Sequence, residues 1–289
     1  MPYAFHRDDT GPEASLHRIL TEELTSALAR LRAVSDPETV HGIRKNLKKT
    51  RALLRLYRAG LPDQPAANAA LRGVAAALSA RRDAAVRLAT FDTLVPNPPA
   101  GLRRLRAQLL SESRVSGDAP TSDLAETLSD LRDRMADWPL KGKPARILAQ
   151  GLAATRRRAQ RAARAARAAP DRLDLLHDGP KRAKDLRYQL LLPAPVWPDH
   201  FRTLTAAADE LGETLGQHND LAVLALHIHG VPGDVLPDTD RAHLATRVEE
   251  ARTAILASAF PASDRLLAGN PEAVADIWVT WLKLWQRTA

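Results

Sequence analysis

The sequence predicts an all-α protein built as two helical bundles, and three observations carry that reading. Proline punctuates stretches of helical length, and no segment shows convincing period-two alternation, so essentially no strand is expected. Hydrophobic residues make up 45% of the 289 residues and aromatic ones only 4%. Ala and Leu dominate, which suits helices packed closely on small side chains. A basic phrase led by histidine occurs twice, which points to an internal duplication.

The elements follow from the punctuation, because proline is tolerated in a first helical turn and disruptive further in. Behind Pro12 the stretch 13–34 reads as the first helix; Pro37 opens the second at 38–59, closed by Pro62. Pro65 precedes a long third helix at 66–92, which ends before Pro96, Pro98 and Pro99. Helices at 100–112 and 121–137 follow, the latter between Pro120 and Pro139. The stretch 138–144 holds Pro139, Gly142 and Pro144 and forms the natural seam, giving a first repeat at 1–138 and a second at 145–289. The second repeat reads as helices at 145–168, 175–192, 200–229, 239–258 and 272–287. They are separated by Pro170, the Pro193, Pro195 and Pro198 group, Pro232, Pro237, Pro261 and Pro271. Each half then holds a long helix, a His-led basic helix, a long third helix and at least one more. Two four-helix bundles related by a pseudo-twofold are the expectation.

The repeated phrase is H-G-I-R-K-N-L-K-K-T-R over 41–51 and H-D-G-P-K-R-A-K-D-L-R over 177–187. Both place Lys at +4, Lys at +7 and Arg at +10 from the histidine. With 42 basic residues in 289, three given positions are all basic by accident about once in three hundred trials. A second pair has nearly the same offset. L-S-A-R-R-D over 78–83 and L-G-Q-H-N-D over 215–220 share Leu and Asp, and Val86 matches Val223.

On a helix, His41, Arg44, Lys45, Lys48, Arg51 and Arg55 fall within an arc of about 120°, and Lys49 is counted with them. Ile43, Leu47, Thr50, Leu53, Leu54 and Tyr57 take the opposite side, so the helix has one face to bury and one to present. No Asp or Glu occurs from His41 to Arg58. Like charges so spaced repel by about a few tenths of a kcal/mol per pair, a cost that makes sense if an anion lies along the stripe. In the second copy Pro180 stands where the first has Arg44, and Asp185 where it has Lys49. Lys181, Lys184 and Arg187 keep the charged face, while Ala183, Leu186 and Leu190 form the buried one. Tyr188 lies near the charged arc and offers a hydroxyl to a phosphate oxygen. His177 stands at the helix start, where exposed backbone N–H groups favour anions. Arg81 and Arg82, with His218 in the slot of the second repeat that matches Arg81, complete the candidate set.

A formal charge of +8 and a pI near 10.2 imply an anionic partner: nucleic acid, a phosphate polymer or anionic lipid. With no cysteine, disulfides, thiolate catalysis and Cys-ligated metals are excluded. The N-terminus lacks an apolar core of a secretory signal, and no stretch approaches the ~20 apolar residues of a membrane span. A soluble cytoplasmic protein is expected.

The two His-led basic helices resemble the paired motifs of the conserved histidine α-helical domain (CHAD) family. The L-S-A-R-R-D segment and L-G-E-T-L-G-Q-H-N-D-L over 211–221 fit its third-helix motifs, and the resemblance spans about residues 13–285. It implies two pseudo-symmetric four-helix bundles around a basic central groove or pore. It also implies non-catalytic binding of inorganic polyphosphate, with association to polyphosphate granules and no cofactor. Pro180 and Asp185 depart from the family's Arg-rich second motif, so the two halves are expected to contribute unevenly. No E-x-E-x-K element of the triphosphate-tunnel domains often fused to this family occurs, so the domain is expected to stand alone.

Two rival readings use the same residues. His41, the His177–Asp178 pair and Asp220 echo the metal-binding set of a helical phosphohydrolase, but the surrounding Lys and Arg would repel a divalent cation. His227 and His229, two apart, share no helical face and make a poor metal pair. Nucleic acid is the less favoured polyanion, because single-strand recognition adds stacking aromatics and the basic helices offer only Tyr57 and Tyr188. The run R-R-R-A-Q-R-A-A-R-A-A-R over 156–167 could extend a phosphate groove or be a solvated face. In the last helix Ile277, Trp278, Trp281, Leu284 and Trp285 share a broad face expected to dock on the core.

Overall fold

The computed structural model describes residues 3–33, 37–78, 80–114, 121–170 and 172–287, with the backbone alone at Pro37, Ala80, Arg81, Arg82, Thr121 and Leu173. Of the described residues 81% are helical, and none lies in a strand. The helices are α1 (Pro12–Arg32), α2 (Pro37–Leu56), α3 (Gln64–Ala77), α4 (Ala80–Leu94), α5 (Ala100–Arg114) and α6 (Thr121–Ala136). They continue with α7 (Pro144–Ala168), the single turn α8 (Leu173–Leu176), α9 (Asp178–Leu191), α10 (Pro198–His229), α11 (Asp238–Leu267) and α12 (Pro271–Arg287). Five of them begin on proline, whose missing N–H goes unused in a first turn anyway.

Three expectations are corrected. The third helix, read as 66–92, breaks after Ala77, where Leu78 turns and its N–H bonds the Val74 carbonyl at 3.3 Å. The Ala-rich sequence favours helix throughout, but the chain changes partners at this point: α3 packs on α2 and α6, and α4 on α5 and α10. The helix read as 239–258 runs through Pro261 to Leu267. Side chains of α7 cap its far end, Arg156 Nη2 donating to the Leu266 carbonyl at 3.0 Å and Gln160 Nε2 to that of Leu267 at 2.8 Å. Those bonds, with buried Ser263, Leu266 and Leu267, outweigh the one helical bond that proline removes. In α12 Trp278 is buried and Trp281 and Trp285 pack partly buried against the core as expected, with Ala275, Val279 and Leu282 beside them, while Ile277 and Leu284 stay 48% and 53% exposed. The apolar stripe is wider than the contact it makes.

The main core is continuous across both halves of the chain, including Leu24, Leu47, Leu56, Leu148, Leu186 and Phe201. A smaller core under α4 and α5 gathers Phe91, Leu105, Leu224 and Leu244. The buried faces of the basic helices are those the periodicity indicates. Ile43, Leu47, Thr50, Leu53, Leu54 and Tyr57 are fully buried, as are all but a few per cent of Ala183, Leu186 and Leu190. Where α7 crosses the end of α2, a Cβ on Gly151 would lie 1.8 Å from the Leu56 carbonyl oxygen. Only glycine allows that approach.

Candidate functional site

The cationic face of α2 is graded in exposure. His41 and Lys45 are exposed, and Arg44, Lys48, Arg51 and Arg55 are half-buried. Arg44 Nη1 donates to the Ala75 carbonyl at 2.9 Å, and Arg51 Nε to Asn68 Oδ1 at 3.0 Å. Lys49 turns inward: its Nζ lies 2.7 Å from Glu23 Oε1 and 5.0 Å from the Tyr3 ring centroid. Asn46 Nδ2 donates to the other Glu23 oxygen at 2.6 Å. This buried carboxylate pins α2 to α1, so Lys49 holds the helix in place rather than presenting charge.

On α9 the charges are more neutralised. Lys181 is 3.6 Å from Asp178, and Arg187 is 2.6 Å from Asp209 while stacking over the Tyr188 ring at 5.5 Å. His177 is exposed, its Nδ1 bonded to Asn219 Oδ1, and Lys184 is half-buried. Tyr188 is only 6% exposed; burial raises its pKa, and Arg187 beside it opposes that shift. His218 is 2% exposed and accepts from Arg252 Nε at 3.3 Å. Burial and that guanidinium lower its pKa to about 4, so it is neutral rather than cationic. The side chains of Arg81 and Arg82 lie outside the described residues.

The two basic helices meet through an arginine cluster. Arg55 Nη2 bonds Asp185 Oδ1 across α2 and α9, and Arg182 Nη1 lies 3.3 Å from Asp185 Oδ2. Arg158 of α7 joins them: burial lowers its pKa, and the nearby charges of Arg58, Arg182 and Arg55 add to the effect, with Asp185 opposing it. Arg51 is lowered likewise, by burial and then by Arg55, with Arg72 contributing and Asp185 again opposing. Six guanidiniums, of Arg51 and Arg55 on α2, Arg58 just beyond it, Arg72 on α3, Arg158 on α7 and Arg182 on α9, thus form a linked group of like charges, with Asp185 bonded to Arg55 and Arg182 and Asp178 3.7 Å from Arg182. Such a cluster offers paired N–H donors to oxyanions.

Sequence reasoning gathered Arg51 and Arg55 but missed Arg58, Arg72, Arg158 and Arg182. Arg58 continues the spacing of Arg51 and Arg55, a signal that was present. Arg158 sits in the 156–167 run, whose members the fold sends separate ways. Arg156 caps α11, Arg157 pairs with Glu272, and Arg167 pairs with Asp264 at 2.8 Å, while Arg161 and Arg164 are exposed.

The sequence profile of the CHAD domain matches residues 18–229, from within α1 to the last residue of α10. The chain belongs to the CHAD-domain family. Every member of the arginine cluster lies inside the matched range. Among solved structures, the crystal structure of the CHAD domain from the plant Ricinus communis is similar. It has a TM-score of 0.60 at 22% identity, over 96% of this CHAD protein and 94% of that chain. No curated protein matches it. Among the described residues, no three His, Asp or Glu side chains gather as a metal site would need, and no helix is long and apolar enough to cross a membrane.

Proposed function

We propose that this CHAD protein binds inorganic polyphosphate without hydrolysing it, in the cytoplasm and at polyphosphate granules. In this reading α2 and α9 line one basic groove between two bundles derived from a duplication. The observation that carries it is the linked group of Arg51, Arg55, Arg58, Arg72, Arg158 and Arg182, whose only carboxylate ion pairs among the described residues run from Arg55 and Arg182 to Asp185 and from Arg182 to Asp178. Cations are concentrated there well beyond what the fold needs for charge balance. The helix contacts support the duplication: in the first half α1 packs on α2 and α6, and in the second α7 packs on α9 and α12. Likewise α4 packs on α5, and α10 on α11.

A flexible polyanion gains from such a surface because many weak contacts act along one chain, whereas a lone orthophosphate makes few. Both tyrosines on the basic helices, Tyr57 and Tyr188, are buried, which leaves stacked nucleobases without a platform and favours bare phosphate over nucleic acid. The test is a binding titration with polyphosphate, orthophosphate and single-stranded DNA at matched charge and two salt concentrations. Polyphosphate is expected to bind most tightly, with affinity rising with chain length and falling with salt. No phosphate release is expected with or without Mg²⁺ or Mn²⁺. Turnover abolished by chelation and by His177→Ala would replace this reading with a metal-dependent phosphohydrolase.

A further inference from the structure

Asp185 is 9% exposed where α9 faces α2, and its two oxygens serve different arginines. Oδ1 accepts from Arg55, on the neighbouring basic helix, and Oδ2 from Arg182 on its own helix. Its charge also opposes the crowding of positive charge felt by Arg51 and Arg158. Among the described residues, no carboxylate lies within ion-pair distance of Arg58, Arg72 or Arg158. The aligned position in the first repeat is Lys49, so an anion here is a feature of one half only.

A carboxylate and a phosphate group present similar oxygens to a guanidinium and compete for the same paired donors. Asp185 is tethered at that place by the chain itself, so it competes at high effective concentration. Resting on the polyphosphate reading above, we propose that Asp185 is an intramolecular competitor for the central anion subsite. A phosphate group of the bound chain takes over Arg55 and Arg182, Asp185 is released from them, and its carboxylate sets the affinity of the groove. The opposite arrangement keeps Asp185 in place as a brace, with phosphates meeting only the outer edges of the arginines.

The two arrangements predict opposite results for Asp185→Asn, which keeps the side chain's size and removes its charge. Glu126→Gln is the control; it removes one charge from an exposed site on α6, which packs on α1 and α3. Competition makes Asp185→Asn bind polyphosphate about tenfold more tightly than wild type, and the control no more than about twofold. Equal gains in both variants, or a loss in Asp185→Asn, overturn the proposal and leave polyphosphate binding standing. If neither wild type nor either variant binds, the functional reading fails and this inference fails with it.

Neutralising Asp185 leaves Arg55 without its ion-pair partner and Arg182 with Asp178 at 3.7 Å, so melting temperatures are read in parallel. Free Asp185→Asn is expected to melt below wild type, and saturating polyphosphate to raise its Tm by more than it raises that of wild type; an equal rise counts against the proposal. Wild type supplies an independent measurement that needs no variant to fold. The carboxylate-carbon NMR resonance of Asp185 moves on saturation with polyphosphate if its ion pairs break, and an unmoved resonance overturns the proposal.

Discussion

His218 sits on α10 with Arg252 Nε donating to its Nε2. Burial, reinforced by the Arg252 charge, lowers its pKa from 6.5 to about 4, so near neutrality it is an uncharged acceptor. In the sequence it occupies the slot of Arg81 in the other repeat and reads as a cation. What changes its chemistry is burial, reinforced by a residue 34 positions away on α11, and no local pattern announces either. Lys49 is a similar case: its spacing sets it beside the cationic arc, while buried Glu23 on α1 draws it inward. Between pH 6.5 and 4 the unfolded chain protonates His218 and the folded protein does not. Stability therefore falls as pH drops through that window, by up to about 3 kcal/mol. Urea titrations at pH 7 and pH 4.5 are expected to show that loss in wild type. His218→Gln, whose carbonyl can still accept from Arg252, is expected to lose much less. Carboxylates that titrate over the same range act in both proteins, so the difference between the two isolates the histidine.

At the scale of helices, amphipathic periodicity located most elements and both buried faces of α2 and α9, because each of these helices has a single apolar stripe facing one core. It failed where the deciding contact comes from elsewhere in the chain. The α3–α4 break is made by docking against two different cores, and the continuation of α11 past Pro261 depends on capping by Arg156 and Gln160. The crossing of α7 over α2 is also invisible locally, since Gly151 reads as one glycine in an Ala-rich helix. Its lack of a Cβ sets the distance between the helices, and Arg158, two turns further along α7, reaches the arginine cluster from that crossing. Gly151→Ala drives a methyl group into the Leu56 backbone, which cannot move aside as a side chain could. A loss of about 1–3 kcal/mol or more is expected in chemical denaturation. Gly73→Ala in α3, whose Cβ would meet nothing within 4 Å, is expected to stabilise by about 0.5–1 kcal/mol. Destabilisation of equal size at both sites would mean that Gly151 matters for helix propensity alone, not for the crossing.

Across the whole molecule, net charge and an arranged site make different predictions for binding. A net charge of +8 draws any polyanion toward the surface, so salt-sensitive binding alone does not single out α2, α7 and α9. Position does. Lys45→Glu with Lys48→Glu reverses two charges on the α2 stripe without touching its apolar face. Arg161→Glu with Arg164→Glu makes the same change on the exposed side of α7, one and two turns beyond Arg158. Arg103→Glu with Arg104→Glu makes it on α5, which packs on α4 away from the basic helices. All three pairs shift the net charge equally, so a bulk effect weakens polyphosphate binding equally in each. A formed groove gives a graded series, with the α2 pair losing most, the α7 pair less and the α5 pair least. The salt dependence follows the same order: each lost contact removes about 0.7 from the log–log slope, taking single-stranded nucleic acid as the analogue. Isothermal titration at two salt concentrations reads both quantities, with helicity and Tm checked for each pair. Equal losses in binding and in slope across the three pairs would leave bulk charge as the source of affinity and remove the case for a groove.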